Sequence, residues 1–542
     1  MSTESPGAQP KSLETRRRPP AVELELFTRR FAAIADEMGE LLQRTALSTN
    51  VRDRLDFSCA VLDAAGRLVV NAPHIPVHLG ALGLCVRRVR DRLPLDPGDV
   101  VVTNHPGHGG SHLPDVTVLA PVHDRDGVLL GHVANRAHHA EIGGLRPGSM
   151  PPSARCLAEE GVVLPPTYWL RDGVSRRDAL RTLLTAPPYP SRAPEENLAD
   201  LDAQLAAVRR GAKLLAELAA REGRERTLAA LDALRRRAAA KAEQALRRLG
   251  ARLGPEPRIA EERLDDGTPL RVAVTIDNGR ARFDFAGTAR VHAGNLNATP
   301  AIVRSAVLYV VRLLVGTLGD QPEDADLPLN EGLLERVTLE IPPGCLLDPS
   351  FGDDPTRAPA VVGGNVETSQ RLVDTLLRAL GLAACSQGTM NNLLFGDDRF
   401  GYYETICGGA GATADAAGAS AVHTHMTNTR ITDPEVLELR FPVRLERFAV
   451  RHGSGGAGRH RGGDGVVRTL TFLRPVCISL LAQHRVEEPY GAAGGGPGAV
   501  GRQWLERADG TVEVLDGAAQ VDAAAGDRLI VETPGGGGWG EA

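Results

Sequence analysis

Lysine is scarce in this chain of 542 residues. Its 62 basic residues include only three lysines, Lys11, Lys213 and Lys241, and the others are arginines. A phosphate-binding loop of the Gly-x-x-x-x-Gly-Lys-Ser/Thr type needs a lysine to reach the nucleotide phosphates, and no such stretch occurs. A Ser-Lys amidase likewise needs a lysine beside its nucleophile. The sequence therefore argues against a P-loop ATPase and against a Ser-Lys amidase.

Paired cysteines, long apolar runs and excess basic charge are also missing. The seven cysteines are scattered without a Cys-x-x-Cys pair, which argues against a disulfide framework or thiolate zinc site and favours a reducing, cytoplasmic compartment. No apolar run of about 18 residues occurs and no apolar segment follows Arg16–Arg18, so we expect neither a membrane span nor a secretion signal. The net charge of −6 makes nucleic acid an unexpected partner, and leaves protein and small molecules.

The composition is typical of a globular protein, and the patterns along the chain indicate an α+β, multidomain fold with mixed α/β parts. Hydrophobic residues make up 42% and charged residues 24% of the chain, which is enough to bury a sizeable core. The predicted divisions are a disordered tail (1–21), an N-terminal domain with a β-hairpin metal site (22–194), a long helical hairpin (195–254), a central α/β domain (255–440) and a small glycine-rich β domain (441–542).

Hydrophobic spacing and turn residues predict several local elements. Single helices are predicted at residues 22–47, 300–318 and 366–382. Residues 195–254 are rich in alanine, leucine and arginine, and Gly223 divides them into two helices that we interpret as a bracing arm. Within residues 270–288, Asn278-Gly279 predicts a type I′ turn between two strands.

Glycine is dense in the C-terminal part of the chain. The densest segments are 408–412, 454–465, 494–501 and 534–540. None of them lies between a strand and a helix in the Gly-x-Gly-x-x-Gly frame of a nucleotide-binding loop. We interpret most of them as tight turns that join short strands, with anion binding by the backbone as the alternative.

Histidine is concentrated in residues 101–148, which hold seven of the fifteen histidines of the chain. Two apolar, β-branched runs within this segment flank the turn residues 124–127. This pattern predicts an antiparallel β-hairpin.

The hairpin is expected to assemble a metal site. With the apex at residues 125 and 126, partner numbers sum to about 251, within a residue or two, which places His112 opposite His138 or His139 and Asp115 near Arg136. Two imidazoles and a carboxylate at one end of a hairpin form the ligand set of an open divalent-metal site. The alternative interpretation is that His112 caps a turn, that Asp115 begins a strand and that the histidine pair is solvated surface.

His74 and His78 stand four residues apart where a strand leads into a helix. Such a pair is a candidate for metal ligation or for general base catalysis. Pro76 lies between the two histidines and argues against a regular helix, and hence against a helical zinc pair.

The order of motifs along the chain resembles that of the B-type chains of the hydantoinase/5-oxoprolinase family, which also includes the α subunits of acetone carboxylase and related ketone carboxylases. The resemblance spans nearly the whole chain. It rests on DRLDFSCAVLD, HIPVHLGAL, GGSHLPDVTVLAPV, NRAHHAEIGGLRPGSMP, EEGVVLPP, DFAGT, NLNAT, SQGTMNN, YYETICGGAGA, THMTNTRITDPEVLE, SGGAGRHRGGDG and the terminal PGGGGWG.

The resemblance implies that this chain works with an A-type chain that has an actin-like ATPase fold. ATP and magnesium would bind to the A-type chain, which would phosphorylate the carbonyl oxygen of the substrate. The B-type chain would then supply the metal site where the activated intermediate is hydrolysed or carboxylated. A cytoplasmic hetero-oligomer is therefore expected.

The resemblance also implies which residues hold the metal. Carried over from the carboxylase relatives, the ligands of one divalent ion (manganese, zinc or iron) are His112, Asp115 and His138, with His139 as the alternative third ligand. The candidate catalytic residues are His78, His139 and Glu141. Imidazoles titrate near neutrality, so the two histidines suit proton transfer. Glu141 stands where many relatives carry aspartate.

Two functions compete at this point. The first is the B-type subunit of an ATP-dependent hydrolase of a cyclic amide such as a hydantoin, 5-oxoproline or a similar lactam. The alternative is the α subunit of an ATP-dependent ketone carboxylase. The extra histidines His105, His108 and His139 beside the proposed ligands favour proton transfer to and from water, and hence the hydrolase. A scaffold without chemistry is the third possibility, which would bind no metal.

Overall fold

The computed structural model describes residues 21–72, 75–319 and 329–542, so the predicted tail (except residue 21) and His74 lie outside the described residues. Within them the chain forms ten α-helices and four β-sheets, and the predicted mixed architecture is confirmed. The helices are α1 (Ala21–Thr45), α2 (Thr49–Arg52), α3 (Ala81–Arg90), α4 (Leu157–Glu160), α5 (Arg177–Thr185), α6 (Pro194–Glu222), α7 (Arg224–Leu253), α8 (Pro300–Leu318), α9 (Ser369–Leu380) and α10 (Pro434–Arg440).

The first sheet has seven antiparallel strands and carries the candidate site. In chain order its strands are β1 (Phe57–Asp63), β2 (Leu68–Asn71), β3 (Val100–Thr103), β4 (Asp115–His123), β5 (Leu129–His138), β6 (Thr167–Arg171) and β7 (Val174–Ser175). Their order across the sheet is β2-β1-β5-β4-β3-β6-β7. The predicted hairpin of residues 101–148 is thus β4 and β5 at the centre of this sheet, with helices α1 and α6 packed on one face and α3 on the other.

Three smaller sheets make up the rest of the β structure. The second sheet contains β8 (Arg258–Arg263), β9 (Pro269–Asp277), β10 (Arg280–Asp284) and β11 (Val337–Glu340). The third contains β12 (Asn392–Gly396), β13 (Gly401–Glu404), β16 (Val476–Leu481) and β19 (Ala518–Ala523). The fourth contains β14 (Val443–Arg451), β15 (Gly465–Phe472), β17 (Arg502–Glu506), β18 (Val512–Leu515) and β20 (Arg528–Glu532). Since β16 pairs with β12 on one side and with β19 on the other, the glycine-rich C-terminal part shares a sheet with the central part.

Several local predictions are confirmed. The turn between β9 and β10 has Asn278 at φ 47° and Gly279 at φ 75°, as a type I′ turn requires. Helices α6 and α7 meet at Gly223, whose φ of 92° suits glycine. This helical hairpin also packs on the first sheet, because α6 buries one face against β4 and β5. The predicted domain boundaries stay predictions.

Two of the predicted helices have features that the sequence did not indicate. Helix α8 is the one helix in the described part of the chain that is long and apolar enough to cross a membrane. Its most apolar stretch is 61% buried within the protein, as in a core helix. The helix predicted at residues 366–382 begins as a π-helix, Gly364–Thr368, and continues as α9.

The glycine-rich segments do not form tight turns, and that interpretation is wrong for most of them. They run beside one another and are joined by backbone hydrogen bonds, such as Gly463 N to Ala410 O (2.9 Å), Gly536 N to Gly463 O (2.9 Å) and Gly538 N to Gly496 O (2.9 Å). A Cβ atom on Gly463 would lie 1.9 Å from a backbone oxygen of a neighbouring segment. Glycine is required here because the backbones approach more closely than any side chain allows.

Candidate metal centre

Asp115 and His138 are paired at the open end of the β4–β5 hairpin, where β4 begins and β5 ends. The register in this region pairs Val116 with Ala137 and Thr117 with Arg136, so partner numbers sum to two more than expected. Asp115 therefore pairs with His138, and Arg136 lies opposite Thr117, two residues away, at the limit of the expected register. Because side chains alternate with a period of two, this shift leaves every side chain on its predicted face.

Asp115 is the centre of the site. Its Oδ2 accepts hydrogen bonds from Ser111 Oγ (2.6 Å) and His78 Nε2 (3.2 Å), and it lies 3.2 Å from His112 Nδ1. His112 precedes β4 in a turn closed by the Asp115 N–H bonding to its carbonyl oxygen. His78 Nδ1 in turn contacts Ser58 Oγ at 3.0 Å, so the imidazole bridges β1 and β4.

His138 completes the group from the end of β5. Its Nδ1 lies 3.7 Å from Asp115 Oδ1 and 3.7 Å from Asp56 Oδ2. Its ring lies 5.0 Å from that of His112 and stacks on Tyr403 at 4.7 Å with an interplanar angle of 11°. The orientation of His138 is thus fixed from both sides.

The three side chains His112, Asp115 and His138 fit a divalent metal ion. Each offers one ligand atom, and these atoms lie within 4.8 Å of one another. All three residues are at most 3% exposed, yet His112 Nδ1, Asp115 Oδ1 and His138 Nε2 have no hydrogen-bond partner among the described residues. Buried polar atoms are nearly always paired, and two imidazoles with one carboxylate are donors that zinc, manganese and iron accept. The group can therefore hold a metal.

The electrostatics of the site suit a cation. Burial acts to raise the pKa of Asp115, but His112 and His78 outweigh it and hold that pKa well below its usual range. Burial lowers the pKa of His138 well below its ordinary value, and the neighbouring His112 acts in the same direction. An ionised carboxylate beside an imidazole with a free lone pair is the state that metal binding requires. Burial raises the pKa of the adjacent Asp56 to about 7.

His139 faces away from this group. Its Nδ1 accepts a hydrogen bond from Asn197 Nδ2 (3.1 Å) and its Nε2 donates one to Gln204 Oε1 (3.0 Å), both on α6. Both ring nitrogens are therefore occupied, and His139 joins the sheet to the helical hairpin. The structure therefore does not bring His139 to the proposed ligands, and its catalytic role stays a prediction.

Glu141 is also engaged elsewhere. Its carboxylate accepts hydrogen bonds from Gly143 N (2.6 Å) and Gly148 N (2.9 Å) and from Arg192 Nη1 (3.0 Å). These contacts close the loop that follows β5. The catalytic assignment of Glu141 is thus not supported by its position, whereas His78 contacts Asp115 directly.

His105 and His108 lie beside each other at the 3-10 turn Pro106–His108, with 4.9 Å between their ring centroids. Their position does not match the expectation that they flank the ligands, because His105 packs on Phe351 and accepts a hydrogen bond from Gly107 N. In the described residues no contact joins either ring to His112.

Sequence reasoning missed Ser111, which lies within residues 101–148, and four neighbours of the group from other segments. Ser58 and Asp56 lie in and just before β1, Tyr403 lies in β13, and Asn365 lies in the π-helix with its Nδ2 3.5 Å from His112 Nε2. All four fall in segments far from residues 101–148 along the chain. Asp56 and Tyr403 belong to the motifs DRLDFSCAVLD and YYETICGGAGA, which was the one available signal.

The sequence profile described as Hydantoinase B/oxoprolinase matches residues 20–542 of this chain. The chain belongs to the hydantoinase B/oxoprolinase family. This family member is 45% identical to 5-oxoprolinase 1 of Arabidopsis thaliana over 545 residues, which cover 96% of the chain and 42% of the plant protein. It is 27% identical to a protein of Pseudomonas sp. (strain NS671) named as the putative B-type subunit of a D-/L-hydantoinase, covering 94% of the chain and 88% of that protein.

The 5-oxoprolinase relatives are much longer than the matched region. The chain spans about two fifths of their length, 42% of the Arabidopsis protein and 41% of the Dictyostelium discoideum 5-oxoprolinase. By contrast, it spans most of the Pseudomonas hydantoinase protein. The family thus includes both long proteins and proteins of about this length.

Two solved structures share the fold of this hydantoinase B/oxoprolinase chain. The ATP-dependent caprolactamase from Pseudomonas jessenii has a TM-score of 0.83 at 24% identity, over 97% of this chain and 92% of the other. The nucleotide-free acetone carboxylase has a TM-score of 0.81 at 18% identity, over 98% of this chain and 77% of the other. At these identities the likeness concerns the fold.

Proposed function

We propose that the chain is the metal-bearing part of an ATP-dependent enzyme that hydrolyses a cyclic amide such as a hydantoin, 5-oxoproline or a similar lactam. The observation that carries this proposal is the buried group of His112, Asp115 and His138 in a chain of this family. Each of these side chains has one polar atom without a hydrogen-bond partner among the residues that the structure describes. The names of the relatives, 5-oxoprolinase and a D-/L-hydantoinase component, support the same substrate class.

The residues around the group suit the opening of an activated amide. A divalent ion held there would polarise a carbonyl or phosphoryl oxygen and lower the pKa of an attacking water. His78 holds Asp115 in place through Nε2, while its Nδ1 accepts from Ser58 Oγ. Asp56, with its pKa raised to about 7 by burial, lies 3.7 Å from His138 and can take up or release a proton near neutral pH.

We place the ATP-using step outside this chain. A sequence with three lysines and no P-loop motif offers no recognisable phosphate-binding loop. An A-type ATPase chain that binds ATP and magnesium is the proposed partner, in a cytoplasmic hetero-oligomer. The Pseudomonas hydantoinase protein supports a separate chain, whereas the long 5-oxoprolinases agree with the same division inside one polypeptide.

The experiment is to mix the purified chain with the product of a neighbouring A-type reading frame, ATP and magnesium, and to supply hydantoins and lactams of about five to seven ring atoms. We expect a ring-opened amino acid without a requirement for bicarbonate. The chain alone is expected to hydrolyse no ATP, and an Asp115→Asn variant serves as the inactive control. Incorporation of labelled bicarbonate into a ketone, with every cyclic amide left intact, would contradict the proposal and favour the alternative, the α subunit of a ketone carboxylase. The chain shares its fold with a chain of an acetone carboxylase.

A further inference from the structure

Asn365 is a buried residue beside the candidate metal centre whose side chain is only half used. Its Nδ2 lies 3.5 Å from His112 Nε2, while its Oδ1 has no hydrogen-bond partner in the described part of the protein. The residue is 4% exposed. Native proteins pair nearly all buried polar atoms, so an unpaired carboxamide end next to a metal site indicates a ligand that supplies the missing partner.

The backbone that carries Asn365 is held in an uncommon form. Residues 364–368 form a π-helix, which is rare and is frequently found at functional sites. A Cβ atom on Gly364 would lie 1.8 Å from Asn297 O, so the first turn is pressed against a neighbouring segment. The buried carboxylate of Glu160 accepts hydrogen bonds from the backbone N–H groups of residues 361 and 362 at 2.8–3.1 Å. The surroundings therefore fix the place of Asn365.

His112 presents its two ring nitrogens to different groups. Nδ1 faces Asp115 Oδ2 at 3.2 Å, and Nε2 faces Asn365. When Nδ1 is a metal ligand, Nε2 carries the proton and needs an acceptor, as metal-binding histidines usually have. A half-turn of the carboxamide exchanges its oxygen and its NH2 group. If the oxygen faces His112, the NH2 group of Asn365 takes the place of the side-chain atom that has no hydrogen-bond partner.

We propose that Asn365 binds the oxygen of the activated carbonyl group of the cyclic amide and at the same time orients the metal ligand His112. Its NH2 group donates to that oxygen, and its own oxygen accepts the Nε2–H of His112. This inference rests on the proposed function. It identifies the substrate-recognising group as a neutral N–H donor, which can hydrogen-bond to an oxygen of the substrate, whereas an ionised carboxylate can only accept.

Three variants separate the two contacts. Asn365→Asp keeps an oxygen toward His112 but has no NH2 group, and Asn365→Ala has neither. Ser369→Ala is the matched control, because Ser369 Oγ donates to the backbone oxygen of Asn365 and not to its carboxamide. For each variant, the dissociation constant of manganese or zinc is measured by competition with a chelator, and turnover of a lactam is measured with the A-type partner and ATP.

We expect Asn365→Ala to weaken metal binding by about 10–100-fold. Asn365→Asp should bind metal as well as the unchanged protein does but turn over about 10²–10³-fold more slowly. Ser369→Ala should keep both properties. Metal binding by Asn365→Ala at full strength would overturn the His112 contact, and full turnover by Asn365→Asp would overturn the substrate contact.

Two further outcomes would also count against the proposal. If Ser369→Ala loses as much as Asn365→Ala, the helix rather than the carboxamide is responsible. If the unchanged protein opens no cyclic amide, the proposed function and the substrate contact both fail, whereas the metal dissociation constants still decide the contact with His112.

Discussion

His138 and His139 are consecutive in the chain but face opposite sides of the first sheet. The His138 ring lies 3.7 Å from Asp115, whereas that of His139 is hydrogen-bonded to Asn197 and Gln204 of α6. The alternation of side chains at the end of β5 thus separates a candidate metal ligand from a packing residue. The pair gives a direct test of the metal site, because two neighbouring imidazoles are expected to behave differently.

The first prediction concerns metal content. His112→Ala, Asp115→Ala and His138→Ala should each lose most of the bound divalent ion, because each removes one of three converging donors. His139→Asn should keep it and lower the melting temperature, since the contacts with α6 are weakened. Elemental analysis of the purified variants measures the first effect and thermal unfolding the second. If His139→Asn loses the metal and His138→Ala keeps it, His139 rather than His138 is the third ligand.

The second prediction concerns Glu141. Its replacement by alanine leaves the half-buried guanidinium of Arg192 without its carboxylate and frees two backbone N–H groups of the following loop. We expect a loss of about 3–5 kcal/mol in the free energy of unfolding, with the metal retained. Chemical denaturation checks the stability. A variant as stable as the unchanged protein but unable to turn over substrate would restore Glu141 to a catalytic role.

The third prediction concerns acid pH and His132, a buried residue of β5 whose Nδ1 lies 3.1 Å from Asp63 O. Burial lowers its pKa from 6.5 to about 4, so the folded state binds fewer protons than the unfolded state between these values. Its contribution to stability is complete above pH 6.5 and is lost as the pH falls toward 4. The difference corresponds to about 3 kcal/mol.

His132→Asn keeps a donor near Asp63 O without a titrating ring. The free energies of unfolding of the variant and of the unchanged protein should therefore converge or cross as the pH falls from about 7 to about 4.5. Denaturant titrations at a series of pH values measure both. Parallel curves over this range would mean that His132 does not cause the loss at acid pH.

The fourth prediction concerns the glycine-rich segments. A Cβ atom on Gly462 would lie 1.9 Å from Gly536 O, whereas one on Gly496 would meet nothing nearer than 3.5 Å. We expect Gly462→Ala to lower the free energy of unfolding by about 1–3 kcal/mol or more, because the adjoining backbone cannot move away. Gly496→Ala should change it little. Equal effects would contradict the close packing of these segments.

The elements predicted from sequence are those that local interactions determine. Helix α1 follows from apolar residues at helical spacing, and the β9–β10 turn follows from Asn278-Gly279. The β4–β5 hairpin was predicted from two apolar runs around a turn. Its partner numbers sum to two more than expected, and the irregularity between Val122 and His123 accounts for one of these two. A difference of two residues leaves each side chain on its predicted face of the sheet, so the prediction still placed His112 and Asp115 in one group.

The sequence by itself determined the helices, the hairpins and a small set of histidines and acids, since these depend on spacing within one segment. Only the tertiary structure decided between His138 and His139, because the choice depends on α6, whose Asn197 lies 58 residues further along the chain than His139. It also brought Asn365 and Tyr403 to the site from the central part of the chain. Contacts between distant segments arise from packing, and no local pattern of residues records which segments will meet.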